Sequence, residues 1–205
     1  MKRVTIGIEK RVSLAVLELA LRAVLEEKDS PSYFEELSYS ECTGANRAKK
    51  AERVLRKLTV NNKLMPYMKQ HKNIVHNMLG NNSDRALLFT AMMCCAYSIF
   101  YDTVSILGKY FHVQEHVNRL FLLQKLSEKY GSNRALDIAF DCVIPMLIEA
   151  GMLERHSPGV YSMLKQEKYS PDAMEIYKQA YRINNPMLND ENDFLNNPFF
   201  EFVRQ

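Results

Sequence analysis

Glycine and proline are scarce in this chain of 205 residues, seven of each, which excludes collagen-like and linker-like sequence. Cysteine is limited to Cys42, Cys94, Cys95 and Cys142. No C-x-x-C pair occurs, and two adjacent cysteines on a helix are poorly placed to pair with each other. Glu9, Lys10 and Arg11 interrupt the apolar residues of the N-terminus, so no secretory leader is expected; the thiols are read as reduced and the protein as cytoplasmic. Neither charge dominates: 27 Lys and Arg face 24 Asp and Glu, and a net +3 does not by itself call for a polyanionic partner. The longest apolar run, Ala86 to Tyr101, has 16 residues and includes Thr90 and Ser98. It falls short of the roughly 20 residues needed to cross a bilayer, so a buried central helix and no membrane partner are expected. Glycine loops of the G-x-x-x-x-G-K-[ST] and G-x-G-x-x-G kinds are missing too.

What is present is helical periodicity. Val12, Ala15, Val16, Leu19, Ala20 and Ala23 recur at i+3 and i+4 spacing, and that helix is expected to end before Ser30-Pro31, since the residue preceding proline is steered out of the helical region. A second helix is predicted from Asn46 to Leu58, a short one through His76, and a break at Gly80 to Ser83 with Ser83 as N-cap. A core helix follows from Asp84 to Leu107, then one from Glu115 to Tyr130 ending at Gly131, then one capped by Ser132 that reaches Ala150 and stops at Gly151. Pro145 is expected to kink that last helix. Residues 146–163 (MLIEAGMLERHSPGVYSM) read as a helix end, a short strand, a turn at Ser157-Pro158-Gly159 and a returning strand, which resembles the end of a winged helix; any helix followed by a hairpin is the plainer alternative. The expected fold is mainly α: a helical bundle with a winged-helix-like part and one short β-hairpin. Its expected divisions are an N-terminal helical part over 1–80, a core helix plus winged-helix-like part over 81–168, and a C-terminal helix with an irregular aromatic tail over 169–205. Phe199, Phe200 and Phe202 of that tail are expected to dock on the domain or on a partner chain.

Function shows first in the distribution of charge. Residues 46–73 hold nine basic side chains against the single acid Glu52, a net +8, whereas the last 35 residues are net −3. Phosphate recognition needs several Lys or Arg on one surface, because each neutralised phosphate releases condensed counterion. Arg47, Lys49, Lys50, Arg53, Arg56 and Lys57 supply them on one amphipathic helix. Such helices also occur as plain solvated faces, or meet an acidic protein partner. A second surface comes from the winged-helix-like part: Asn133 and Arg134 at the start of the third helix, Arg155 and His156 in the wing. Asp137 and Asp141, one turn apart on that helix, oppose phosphate. Catalytic and cofactor signatures are not found. His112 and His116 flank Glu115, but in the order H-V-Q-E-H rather than H-E-x-x-H, and they read as solvent-facing rather than as zinc ligands. Cys94 and Cys95 read as small core hydrophobes.

Three segments carry a family resemblance: 39–58 (YSECTGANRAKKAERVLRKL), 100–110 (FYDTVSILGKY) and 147–153 (LIEAGML). In their order they resemble the small helical A protein of BREX phage-exclusion systems. The resemblance implies a mostly α-helical, non-catalytic accessory protein that binds double-stranded DNA and acts with other phage-defence proteins. Asp137, Asp141 and the aromatic tail depart from what it implies. The rival expectation is a helical interaction scaffold whose basic face binds an acidic partner.

Overall fold

In a computed structural model, residues 6–164, 166, 168–187 and 196–204 are described. Helices α1 (Leu14–Leu25), α2 (Pro31–Glu41), α3 (Ala45–Leu58), α4 (Met65–Gln70) and α5 (Lys72–Leu79) lead into α6 (Asn82–Ala96) and α7 (Ser98–Phe111). Strand β1 (His116–Asn118), helices α8 (Arg119–Tyr130) and α9 (Arg134–Glu149), strands β2 (Leu153–Ser157) and β3 (Val160–Met163), helix α10 (Pro171–Asn184) and a 3-10 helix (Pro198–Val203) complete the described chain. The fold is mainly α with a small antiparallel sheet, as the periodicity indicates.

The first helix ends at Leu25, before Ser30-Pro31 as expected, and Ser30-Pro31 also starts the next helix. Ser30 Oγ accepts the Tyr33 N–H at 3.2 Å and Pro31 is the first residue of α2, a position where its missing N–H costs nothing. The apolar run at 86–101 is two helices, not one. Tyr97 adopts extended backbone (φ −138°, ψ 120°), and its N–H still bonds back to Met93 at 3.1 Å, so α6 closes and α7 leaves in a new direction. The caps also differ from expectation: Asn81, not Ser83, caps α6 through the Asp84 N–H, and Asn133, not Ser132, caps α9. Pro145 sits inside α9 without ending it.

From Ala86 to Cys95, α6 is buried on every side among α3, α5, α7 and α10. Asn62 fixes α3 to this core. Its buried amide donates to Leu58 O (2.7 Å) and across to Met92 O (2.9 Å), and its Oδ1 accepts from the Leu64 N–H (2.9 Å). Buried apolar residues from Ile6 to Phe202 form one continuous cluster, so the three parts of the chain share a core.

Residues 115–163, expected to be winged-helix-like, hold β1, α8, α9, β2 and β3. After α9, Gly151 (φ +80°) takes the left-handed turn that most side chains resist. Its N–H bonds to Ile148 O and that of Met152 to Leu147 O, the paired bonds of a Schellman motif, which tips the chain into β2. The sheet has the order β1-β3-β2, with Val117 opposite Tyr161 and Leu153 opposite Met163. The expected hairpin therefore gains a third strand, and residues 116–118 at the predicted start of α8 are strand instead.

The aromatic tail packs on its own domain where it is described; residues 188–195 of the predicted irregular segment lie outside the described residues. Phe199 stacks on Tyr177 (4.3 Å) and Tyr101 (4.9 Å). The 3-10 helix lies on α7 at Gly108, where an added β-carbon would stand 1.9 Å from the Pro198 carbonyl oxygen. Gly108→Ala is accordingly expected to lift the 3-10 helix and cost about 1–3 kcal/mol, read as a melting temperature lowered by several degrees with helix content unchanged.

Candidate nucleic-acid interface

Helix α3 buries Ala48, Ala51, Val54, Leu55 and Leu58 and turns its basic residues outward. They do not form a single row. Lys49 and Arg53, four residues apart, share the centre of the exposed arc, with Lys50 and Lys57 to one side and Arg56 to the other. Arg47 sits exposed in the first turn, off that arc.

The residues flanking the helix divide these cations further. On one side, the segment 6–13 runs past α3. Glu9 places its carboxylate 3.3 Å from Lys50 Nζ and 3.0 Å from Arg53 Nη2. Lys57 Nζ stands 4.4 Å over the Tyr97 ring. On the other side, Arg56 bonds to Glu52 at 2.8 Å and lies 4.6 Å over Phe34 of α2. Arg47 and Lys49 have no ion-pair partner among the described residues. Six cations with two paired carboxylates leave this surface at net +4. The other basic residues of 46–73 lie beyond α3, with Lys69 on α4 and Lys72 on α5, close to Glu26.

The second predicted surface is weaker. Asn133 is consumed as a cap: its Oδ1 accepts the Ala135 and Leu136 N–H groups (3.0 and 3.2 Å) and its amide donates to Tyr130 O and Gly131 O. Arg134 is exposed, but Asp137 and Ile138 follow it on the outer side of α9, and Leu120 of α8 is three-quarters exposed nearby. A shallow groove between α8 and α9 is floored by Leu120, Leu123 and Leu136. Asp141, the other opposing carboxylate, is neutralised by Arg119 at 2.9 Å, whose guanidinium also lies 4.6 Å over Phe140. Burial works against the Arg119 charge, yet bonds and charge from Asp141 and Tyr161 outweigh it and hold its pKa up. Arg119 also ties the wing to α8, its N–H donating to Gly159 O at 2.7 Å.

Arg155 is exposed on β2, opposite Tyr161. His156 falls where the β2–β3 register shifts, and its ring stacks on His116 at 4.1 Å rather than projecting from the wing tip. His116 in turn reaches Ser162 Oγ (3.0 Å), and His112 lies 3.3 Å from Glu201. Both histidines are exposed as expected, on β1 and at the end of α7. Among the described residues no cluster of three or more His, Cys, Asp or Glu could hold a metal. Burial pushes the Cys94 thiol up, Cys95 to about 12 and Cys142 to about 11, so these thiols stay protonated at neutral pH. No helix among the described residues is long and apolar enough to cross a membrane.

No protein-family profile, curated protein or solved structure matches the chain.

The structure brings together residues that local sequence patterns keep apart. Segment 6–13 links α3 to α9: Arg11 bonds Glu149 at 2.7 Å, and the same carboxylate accepts the Leu14 N–H at 2.8 Å. Lys10 and Arg11 lie near enough to Cys142 to act on its thiol. Glu9, which meets Lys50 and Arg53, and the buried Tyr97 under Lys57 are the neighbours of the α3 cations that sequence reasoning missed. The alternation of buried Ile6 and Ile8 with Glu9 between apolar Ile8 and Val12 is the signal that this segment is laid against the core.

Proposed function

We propose that the protein is a non-catalytic binder of double-stranded DNA that grips the phosphate backbone through the exposed face of α3. The observation that carries this reading is the set of cations Arg47, Lys49, Lys50, Arg53 and Lys57, exposed on one helix that Asn62 and an apolar stripe hold rigidly to the core. A rigid cationic face pays little ordering entropy when it meets a regular array of phosphates. The wing, through Arg155, is a subsidiary contact. Asp137 on the outer side of α9 speaks against docking of that helix in a groove, because the flanking phosphates repel its carboxylate. Binding is therefore indifferent to sequence. The resemblance of residues 39–58, 100–110 and 147–153 to the BREX A protein supports the same activity and extends it to an accessory role beside other phage-defence proteins.

Fluorescence anisotropy of labelled duplexes tests the reading. Two duplexes of unrelated sequence should bind with affinities within a few-fold of each other, and unlabelled duplex should displace both. Absence of binding at low salt, with an acidic polypeptide binding instead, would replace DNA by an acidic protein partner.

A further inference from the structure

Glu9 stands out on the α3 surface because its carboxylate meets two of the cations assigned to phosphate. Lys50 Nζ and Arg53 Nη2 converge on its two oxygens, at 3.3 and 3.0 Å, from successive turns of the helix. An ammonium and a guanidinium converging on paired oxygens is also how these side chains hold a phosphate. We infer that Lys50 and Arg53 form the principal phosphate site and that Glu9 occupies it in the free protein, so that DNA binds by exchange with this carboxylate. The inference rests on the proposed DNA binding and adds the way that same site is regulated.

The surroundings suit such an exchange. Backbone and carboxylate are held separately: Ile6, Ile8 and Val12 are buried, Ser13 bonds to Glu41, and Arg11 bonds to Glu149. Gly7, at φ +76°, takes a left-handed turn that side chains resist, and the backbone there runs beside the Lys57 ammonium and the Tyr97 ring. Glu9 itself is 36% exposed on its side chain and has no other ion-pair partner among the described residues. It can leave by rotating its side chain while the segment stays in place. An exposed ion pair of this kind is worth about 0–1 kcal/mol, so a phosphate that adds contacts with Arg47 and Lys49 displaces it readily, whereas an isolated anion gains little. Glu9 thereby sets a threshold that favours an extended polyanion over single phosphates.

The test uses the full chain and a short labelled duplex at low salt. Glu9→Gln and Glu9→Ala should each bind about two- to fivefold tighter than wild type, the equivalent of about 0.4–1 kcal/mol. Glu52→Gln changes net charge identically on the other flank of α3 and should change affinity less than about twofold. In the wild-type protein, the Glu9 side-chain carboxyl resonance should shift on adding duplex while that of Glu52 does not, a readout that needs no variant to fold. Wild-type binding with Glu9→Gln no tighter than Glu52→Gln, or with the Glu9 resonance unmoved, overturns the exchange and leaves DNA binding standing. No binding by wild type or by either Glu9 variant overturns the DNA reading itself. Binding by the Glu9 variants but not by wild type overturns the exchange, since DNA then fails to displace the carboxylate.

Discussion

Replacing Arg47, Lys49, Lys50 and Arg53 together by glutamate is expected to abolish duplex binding, a loss of more than about 100-fold at low salt. Four attractions become four repulsions on a surface whose net charge is only +4. All four side chains are exposed, and the helix keeps its buried stripe, so circular dichroism and the melting temperature should stay near wild type. Arg56 and Lys57 are left in place because they also pack: Arg56 is half-buried over Phe34, and Lys57 covers Tyr97. Changing Arg155 and His156 to Ala is the comparison. It removes at most one cation and a ring already stacked on His116, so its loss should not exceed about tenfold, or 1.4 kcal/mol. If the wing variant loses binding and the α3 variant keeps it, the winged-helix-like part is the reader.

The largest effect on stability is expected from Ile99→Asp. Ile99 is fully buried on α7, in the core that α6 and α7 share, where an ionised carboxylate has no partner. The cost is several kcal/mol against a total stability of about 5–15 kcal/mol, enough to unfold the protein. Loss of cooperative melting and of far-ultraviolet helix signal would register it. Ile99→Val, which removes one methylene, should cost only about 0.5–1.5 kcal/mol and melt cooperatively. A soluble Ile99→Asp protein with the wild-type melting temperature would mean that α7 does not pack as described.

Elements defined by short-range periodicity were legible in the sequence: the apolar stripe of α3, the buried α6, the stop of α8 at Gly131 and the turn from α9 into β2 at Gly151. What was not legible depends on single residues or on distant partners. Tyr97 divides α6 from α7 without a Gly or Pro to mark it, because its extended backbone is held by tertiary packing rather than by local preference. Ser30-Pro31 marks both that one helix has ended and that another begins, and the second meaning, fixed by the 3.2 Å bond from the Tyr33 N–H to Ser30 Oγ, is the one the sequence reading missed. Strand β1 has three residues and exists because β3 pairs with it. The candidate interface was half legible. Its cations were countable, but their partition was not, since Glu9 lies about 40 residues from Lys50 and Arg53, beyond the reach of any helical spacing rule. Asn133 illustrates the opposite error: a polar residue at a helix start is more economically a cap than a base contact, and here both ends of its amide are spent on backbone.

The most direct test of phosphate binding by α3 is the salt dependence of duplex affinity. Arg47, Lys49, Lys50 and Arg53, the four cations neither packed on a ring nor held by Glu52, correspond to about four phosphates neutralised, and a log–log slope near −3.6 follows at about −0.9 per phosphate. Between about 50 and 200 mM monovalent salt, affinity should then fall roughly 150-fold. A flat dependence, or no duplex binding at the lower salt, contradicts the assignment.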